Sequence, residues 1–243
     1  MAYSNKHLIE VTCGFQFNNE TSKWDSVYFG QYYDKIKDQG FTERQEKKGI
    51  QIQVNANPAD SSTSIKTTSQ NLEDQVIFKN PSNGWAVKIG KGKISFHIVN
   101  NYTIWEDFLN LFIKPYVEKY LDLGLGNGPR QCNVIYLNRF LKPATENLSD
   151  YFTVVSPMNL DFGIETTTFV QRVFNDKGKN LLITKLNSKT IDKTNTINLE
   201  CGAVCINNDS INSVDWVDQA NSTHAPIKAF FEAIITEKLR KEL

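Results

Sequence analysis

Two alternating runs on either side of a short glycine turn constrain this chain more than any other feature. Trp85, Val87 and Ile89 alternate with other residues, Gly90-Lys91-Gly92-Lys93 turns, and Ile94, Phe96 and Ile98 alternate again. A period of two gives each run one apolar face, and a tight glycine turn makes the two runs antiparallel neighbours. The same grammar recurs along the chain. Strands are expected at Leu8–Phe17, around Ile50, Ile52 and Val54, at Val76–Phe78, Cys132–Phe140, Tyr151–Val155, about Leu160–Phe174, Leu181–Thr184 and Thr196–Ile206. Asn55–Ser69, polar and carrying Pro58, reads as a surface loop.

Helices are fewer. Trp24, Tyr28, Tyr32 and Ile36 recur at helical spacing before Gly40, which predicts a first helix over about Ser22–Gln39. A second is predicted over Thr103–Leu121, with Trp105, Phe108, Phe112, Tyr116 and Tyr120 on one stripe and a kink or restart at Pro115. The C-terminal helix begins near Ser222–Pro226 and carries Ile227, Phe230, Phe231, Ile234, Ile235 and Leu239 on one face. No regular alternation of strand and crossover helix is present, so a doubly wound parallel sheet is not expected. The fold class is α+β: an antiparallel sheet of many strands with about three main helices, over residues 1–243 as a single domain.

Composition narrows function by exclusion. The 27 basic and 27 acidic residues of this 243-residue chain cancel. Proteins that coat nucleic acid or anionic membrane depend on clustered cationic charge, so neither partner is favoured. No stretch approaches the roughly 20 apolar residues that span a bilayer, and the first residues lack a secretion-signal layout. Cys13, Cys132, Cys201 and Cys205 are scattered through strand-like surroundings and read as reduced, buried thiols in a cytoplasmic protein.

Catalytic signals are sparse. Gly124-Leu125-Gly126-Asn127-Gly128 follows a helix and precedes a strand, the reverse of a phosphate loop, so it reads as a helix-terminating turn. Cys201 and Cys205 share a strand face but stand roughly 13 Å apart, too far for one zinc. No metal set or cofactor motif stands out, and no glycine-flanked serine elbow marks a nucleophile. His97 has the opposite parity to Ile94, Phe96 and Ile98 and is expected to face solvent or a second surface. Asp161 and Glu165, four apart on an expected strand, are the best carboxylate pair for a metal-dependent site. Asn138 and Arg139, at the end of Val134–Leu137, are candidate ligand contacts beside Trp105; the competing role for Arg139 is an internal clamp.

Tyr102-x-x-Trp105-x-x-Phe108, the run Tyr136-Leu137-Asn138-Arg139-Phe140, and the closing Phe231-Glu232-Ala233-Ile234-Ile235-Thr236 through Arg240 resemble a sporadically distributed family of prokaryotic proteins without an assigned activity. Ile9–Phe15 fits that family's first strand. Where the family carries Arg-Tyr-Ile-Asn-Arg-Ile, this chain has Ile135-Tyr136-Leu137-Asn138-Arg139-Phe140, with isoleucine in place of the first arginine. The resemblance implies one structural unit, a bacterial origin and, from its patchy distribution, an association with accessory genes such as those of anti-phage defence. The expected function is therefore a non-enzymatic binding or adaptor protein with a protein partner in a bacterial assembly. The alternatives are a metal-dependent hydrolase of nucleic acid or nucleotide using Asp161 and Glu165, and a small-molecule receptor under the aromatic stripe.

Overall fold

The computed structural model describes residues 7–18, 25–51, 70–155, 166–174, 180–191, 193–206 and 215–243. The expected loop Asn55–Ser69 lies outside them, as do Trp24, Ile52, Val54, Asp161 and Glu165. Nine strands form one antiparallel sheet: β1 (Leu8–Asn18), β2 (Glu43–Gln51), β3 (Gln70–Asn80), β4 (Trp85–Gly90), β5 (Lys93–Val99), β6 (Asn127–Pro143), β7 (Thr166–Phe174), β8 (Asn180–Ile191) and β9 (Thr194–Ile206), in the order β2-β3-β4-β5-β1-β6-β9-β8-β7. The fold class is α+β on an antiparallel sheet, as the alternation predicts.

The topology has two halves. After β1 the chain leaves, forms the meander β2-β3-β4-β5, and returns to pair β5 with β1. After β6 it leaves again, forms β7-β8-β9, and returns to pair β9 with β6. The halves join through β1 and β6.

Cross-strand rows show how the faces divide. Phe78, Val87, Phe96, Cys13, Val134, Ala203 and Leu182 face one another in register across seven strands, and all are buried. One residue along, Ile77, Lys88, Ser95, Gly14, Asn133, Val204 and Leu181 make a mixed row on the other face. The described helices pack on the first face only, through contacts such as Tyr32 with Phe78, Phe112 with Trp85 and Phe96, and Trp216 with Phe15.

Helix α1 (Val27–Ile36) runs into a 3₁₀ turn and ends at Gly40, whose φ of 86° supplies the left-handed cap. The second helical segment starts as one turn, α2 (Trp105–Asp107), widens into a π-helix over Phe108–Ile113, and resumes as α3 (Lys114–Leu121). The restart expected at Pro115 is this π turn: the Lys114 N–H reaches back to the Leu109 carbonyl. The whole aromatic stripe from Trp105 to Tyr120 is buried.

Three expectations change. β2, the strand expected around Ile50, begins at Glu43, and at this sheet edge Arg44 pairs with Glu46 at 2.7 Å. Tyr151–Val155 is not a strand but a turn region in which Phe152 alone bridges Ile235. The C-terminal helix is preceded by α4 (Trp216–His224), whose Asp215 cap accepts from the Val217 N–H. It is also broken in two, α5 (Ile227–Ile234) and α6 (Glu237–Glu242). The break follows from the β-branched run Ile234-Ile235-Thr236: Ile235 takes extended geometry, and Thr236 caps α6 by accepting from the Leu239 N–H. Thr153 N–H donates to the Ile234 carbonyl and Thr236 N–H to that of Tyr151, which clamps the C-terminal segment onto the turn region. Among the described residues no helix is long and apolar enough to cross a membrane.

Candidate functional site

On the covered face, α4 and α5 cross above β6 and β9. A pocket of about 200 Å³ opens there. Its floor is Leu8, Tyr136, Asn138 and Cys201, and its roof comes from His224, Ile227 and Phe231. Lys228 stands at the rim and is exposed.

Leu8 reaches this floor because β1 is irregular at its start. Leu8 lies opposite Asn138 and Glu10 opposite Leu137, with Ile9 as the extra residue. Strict alternation would put Leu8 and Glu10 on one face. The bulge sends Leu8 into the pocket, while Glu10 stays in phase with Thr12 and Gly14 on the other side of the sheet.

Two tyrosines give the pocket its hydrogen-bonding wall. The Tyr102 and Tyr136 hydroxyls stand 2.9 Å apart, and their rings meet edge to face at 5.6 Å. Burial pushes the Tyr102 phenol up to about 12 and the Tyr136 phenol well above its ordinary value. Both therefore stay protonated and offer O–H groups. His224 stacks on Trp105 with centroids 4.3 Å apart and planes 5° apart, while the Trp105 indole N–H donates to Asn221 Oδ1 at 2.8 Å. One tryptophan thus fixes two residues three apart on α4. Burial lowers the His224 pKa, with Glu106 opposing it, so the neutral imidazole faces the pocket at neutral pH. The Cys201 thiol is pushed up to about 12 by burial and forms wall, not nucleophile.

The sequence candidates separate in space. Asn138 lies on the pocket floor. Arg139 points to the opposite face, is exposed, and donates from Nε to Asn198 Oδ1 at 3.0 Å. It is neither an internal clamp nor a neighbour of this pocket. Trp105 is 6% exposed and stands behind His224. Asp161 and Glu165 lie outside the described residues. Among the described residues no group of three or more His, Cys, Asp and Glu stands where it could hold a metal ion. The tyrosine pair, His224 and Lys228 are what sequence reasoning missed. Tyr102 and Tyr136 stand in the motifs, but nothing local links them to a histidine 88 residues beyond Tyr136. Comparison with protein-family models, with curated proteins and with solved structures finds no match.

Proposed function

We propose that this chain is a binding protein that takes a compact organic ligand in the pocket above Tyr136 and Asn138. The observation that carries this reading is an open, mostly apolar pocket on the covered face with a small set of convergent polar groups. At about 200 Å³ it lies below the roughly 300–1,000 Å³ typical of drug-sized ligands. An aromatic or branched apolar body fits between Phe231 and the Leu8 floor. Its polar end would accept from Tyr or Asn138 donors, and the Lys228 ammonium at the rim favours a carboxylate or similar anion.

An adaptor role has a separate observation in its favour. Edge strand β7 exposes Val170, Val173 and Phe174 at 50%, 39% and 68%, a surface suited to strand addition by a partner. The C-terminal helices do not serve that role: Ile227, Ile234, Ile235 and Leu239 are all buried.

Native purification followed by mass spectrometry of both small molecules and proteins separates the two. The pocket reading expects a substoichiometric or stoichiometric organic acid that is lost in Asn138→Leu and Lys228→Glu. Trp105 fluorescence should respond when that acid is added back, since its stacking partner His224 lines the pocket. A stoichiometric protein and no small molecule, with no fluorescence response to a panel of aromatic carboxylates, would overturn it in favour of the adaptor.

A further inference from the structure

The face that carries no described helix holds a hydrogen-bonded chain of three side chains. Ser95 Oγ lies 3.0 Å from His97 Nε2, and His97 Nδ1 lies 2.7 Å from Glu10 Oε1. Ser95 and His97 are two apart on β5 and share a face. Glu10 comes from β1, where plain alternation with Thr12 and Gly14 puts it on the same face. Thr12, directly opposite His97, donates to Glu10 Oε1 at 3.3 Å and braces the carboxylate. The hydrogen bond from His97 is the main reason that Glu10 titrates below its ordinary value, so it is a carboxylate at neutral pH. A carboxylate on Nδ1 favours the tautomer with the proton there, which leaves the Nε2 lone pair for the serine hydroxyl.

The row containing Ser95 supplies the rest. Lys88 is its direct neighbour on β4, and on β1 its neighbour is Gly14, with Asn133 next on β6. The absence of a side chain at Gly14 is used: a Cβ there would stand 2.7 Å from Asn133 Oδ1 and 3.3 Å from its Nδ2, so the Asn133 amide lies over the glycine between Asn133 and Ser95 in the row. A cavity of about 200 Å³ is bordered by Gly14, Ser95, Asn133, Lys88 and Lys93. Backbone N–H groups within a sheet are committed to the ladder. Side chains must then provide any oxyanion donors, and the Asn133 amide and the Lys88 side chain border the same cavity as the hydroxyl.

We propose that Ser95, with His97 as its base and Glu10 as positioning residue, is a nucleophile for small polar esters on the open face of the sheet. Ser95 Oγ bonds to the acyl carbon as His97 Nε2 takes the hydroxyl proton, and the carbonyl oxygen gains the negative charge beside Asn133 and Lys88. The intermediate collapses by breaking the bond to the alkoxy oxygen, which leaves as the alcohol with the proton from His97. Water then loses a proton to His97, adds to the acyl-serine, and expels Ser95 Oγ, which recovers its proton. Ester and water become acid and alcohol, with no co-reactant.

The test is labelling of the full chain with a fluorophosphonate, read as intact mass and located by peptide mapping, alongside p-nitrophenyl acetate turnover. We expect one adduct, on Ser95, absent in Ser95→Ala, and acylation slowed at least 100-fold in His97→Gln. Glu10→Gln should slow acylation about tenfold through loss of the tautomer, and Glu10→Asp should restore part of it, a rescue that a merely structural carboxylate would not give. Circular dichroism identifies any variant that fails to fold. Ser95→Cys is the second probe, because its alkylation rate should fall when His97→Gln is added. An adduct elsewhere, no adduct under conditions that label a control serine hydrolase fully, or labelling of Ser95 at an unchanged rate in His97→Gln would overturn the proposal.

Discussion

The two faces of this sheet are built by the same strands and obey different rules. On the covered face, Phe112 is fully buried, stacks on Trp85 at 4.4 Å, and meets Phe96 and Tyr116 at 5.4 Å each. On the open face, half-exposed side chains meet in polar contacts such as Ser95 with His97 and Lys185 with Glu200. The first face decides whether the chain folds, and the second has room for chemistry because little packing depends on it. A side chain on the first face is held by many ring contacts at once, whereas one on the second is held by one or two hydrogen bonds.

The largest expected effect comes from breaking the covered face. Phe112→Ala empties a site surrounded by rings and should cost about 3–5 kcal/mol. A change such as Gln131→Ala on the open face should stay within about 0.5 kcal/mol. Denaturant unfolding of both variants measures the contrast. Equal losses would show that the open face is packed by something as tightly as the covered one.

Much of this contrast is legible in the sequence. The alternation of Val87, Ile89, Ile94, Phe96 and Ile98 names the covered face, and all five are buried. The parity of His97 places it on the other side, where it lies. The hairpin, the helix-ending glycines Gly40 and Gly124, and the aromatic stripe follow from local rules. What local rules miss is long-range. The sequence shows no internal repeat, yet the topology has two similar halves, because a strand-and-meander plan needs only alternation and turns. The bulge at Ile9 also has no local signature: a strict period of two puts Leu8 on the open face with Glu10 and hides its place in the pocket. Tyr136 and His224, or Glu10 and His97, become neighbours only when distant strands and helices are paired. Arg139 is the reverse case: the parity of its own strand already separates it from Phe140, on the exposed face and away from the pocket.

Acid titration sharpens the comparison at a smaller scale. Both faces hold a group whose pKa is lowered in the fold: His224 mainly by burial, and Glu10 mainly by the hydrogen bond from His97. A lowered pKa means that the unfolded chain binds the proton first, so stability falls as pH falls. The His224 contribution is present above its ordinary value of 6.5 and is lost as pH drops through the lower folded value. The Glu10 contribution is present above 4.5 and is lost further down. Chemical denaturation across this range should show two descending segments. His224→Gln should flatten the upper one and Glu10→Gln the lower; a single segment insensitive to His224→Gln would mean that the pocket histidine is solvated.

A small expected change in stability is the most diagnostic for the open face. In Gly14→Ala the new methyl would stand 2.7 Å from Asn133 Oδ1, but that atom is the far end of a side chain and can swing away. Stability should therefore change by no more than about 1 kcal/mol, with the smaller backbone entropy of the unfolded alanine chain acting in its favour. Acylation of Ser95 should nevertheless fall, on the order of 100-fold, because the displaced amide no longer faces the developing oxyanion. A structure that tolerates the methyl while losing the reaction would show that the glycine is kept open for the transition state. An unchanged acylation rate in a stable Gly14→Ala would instead leave Lys88 as the donor and assign the gap over Gly14 to packing alone.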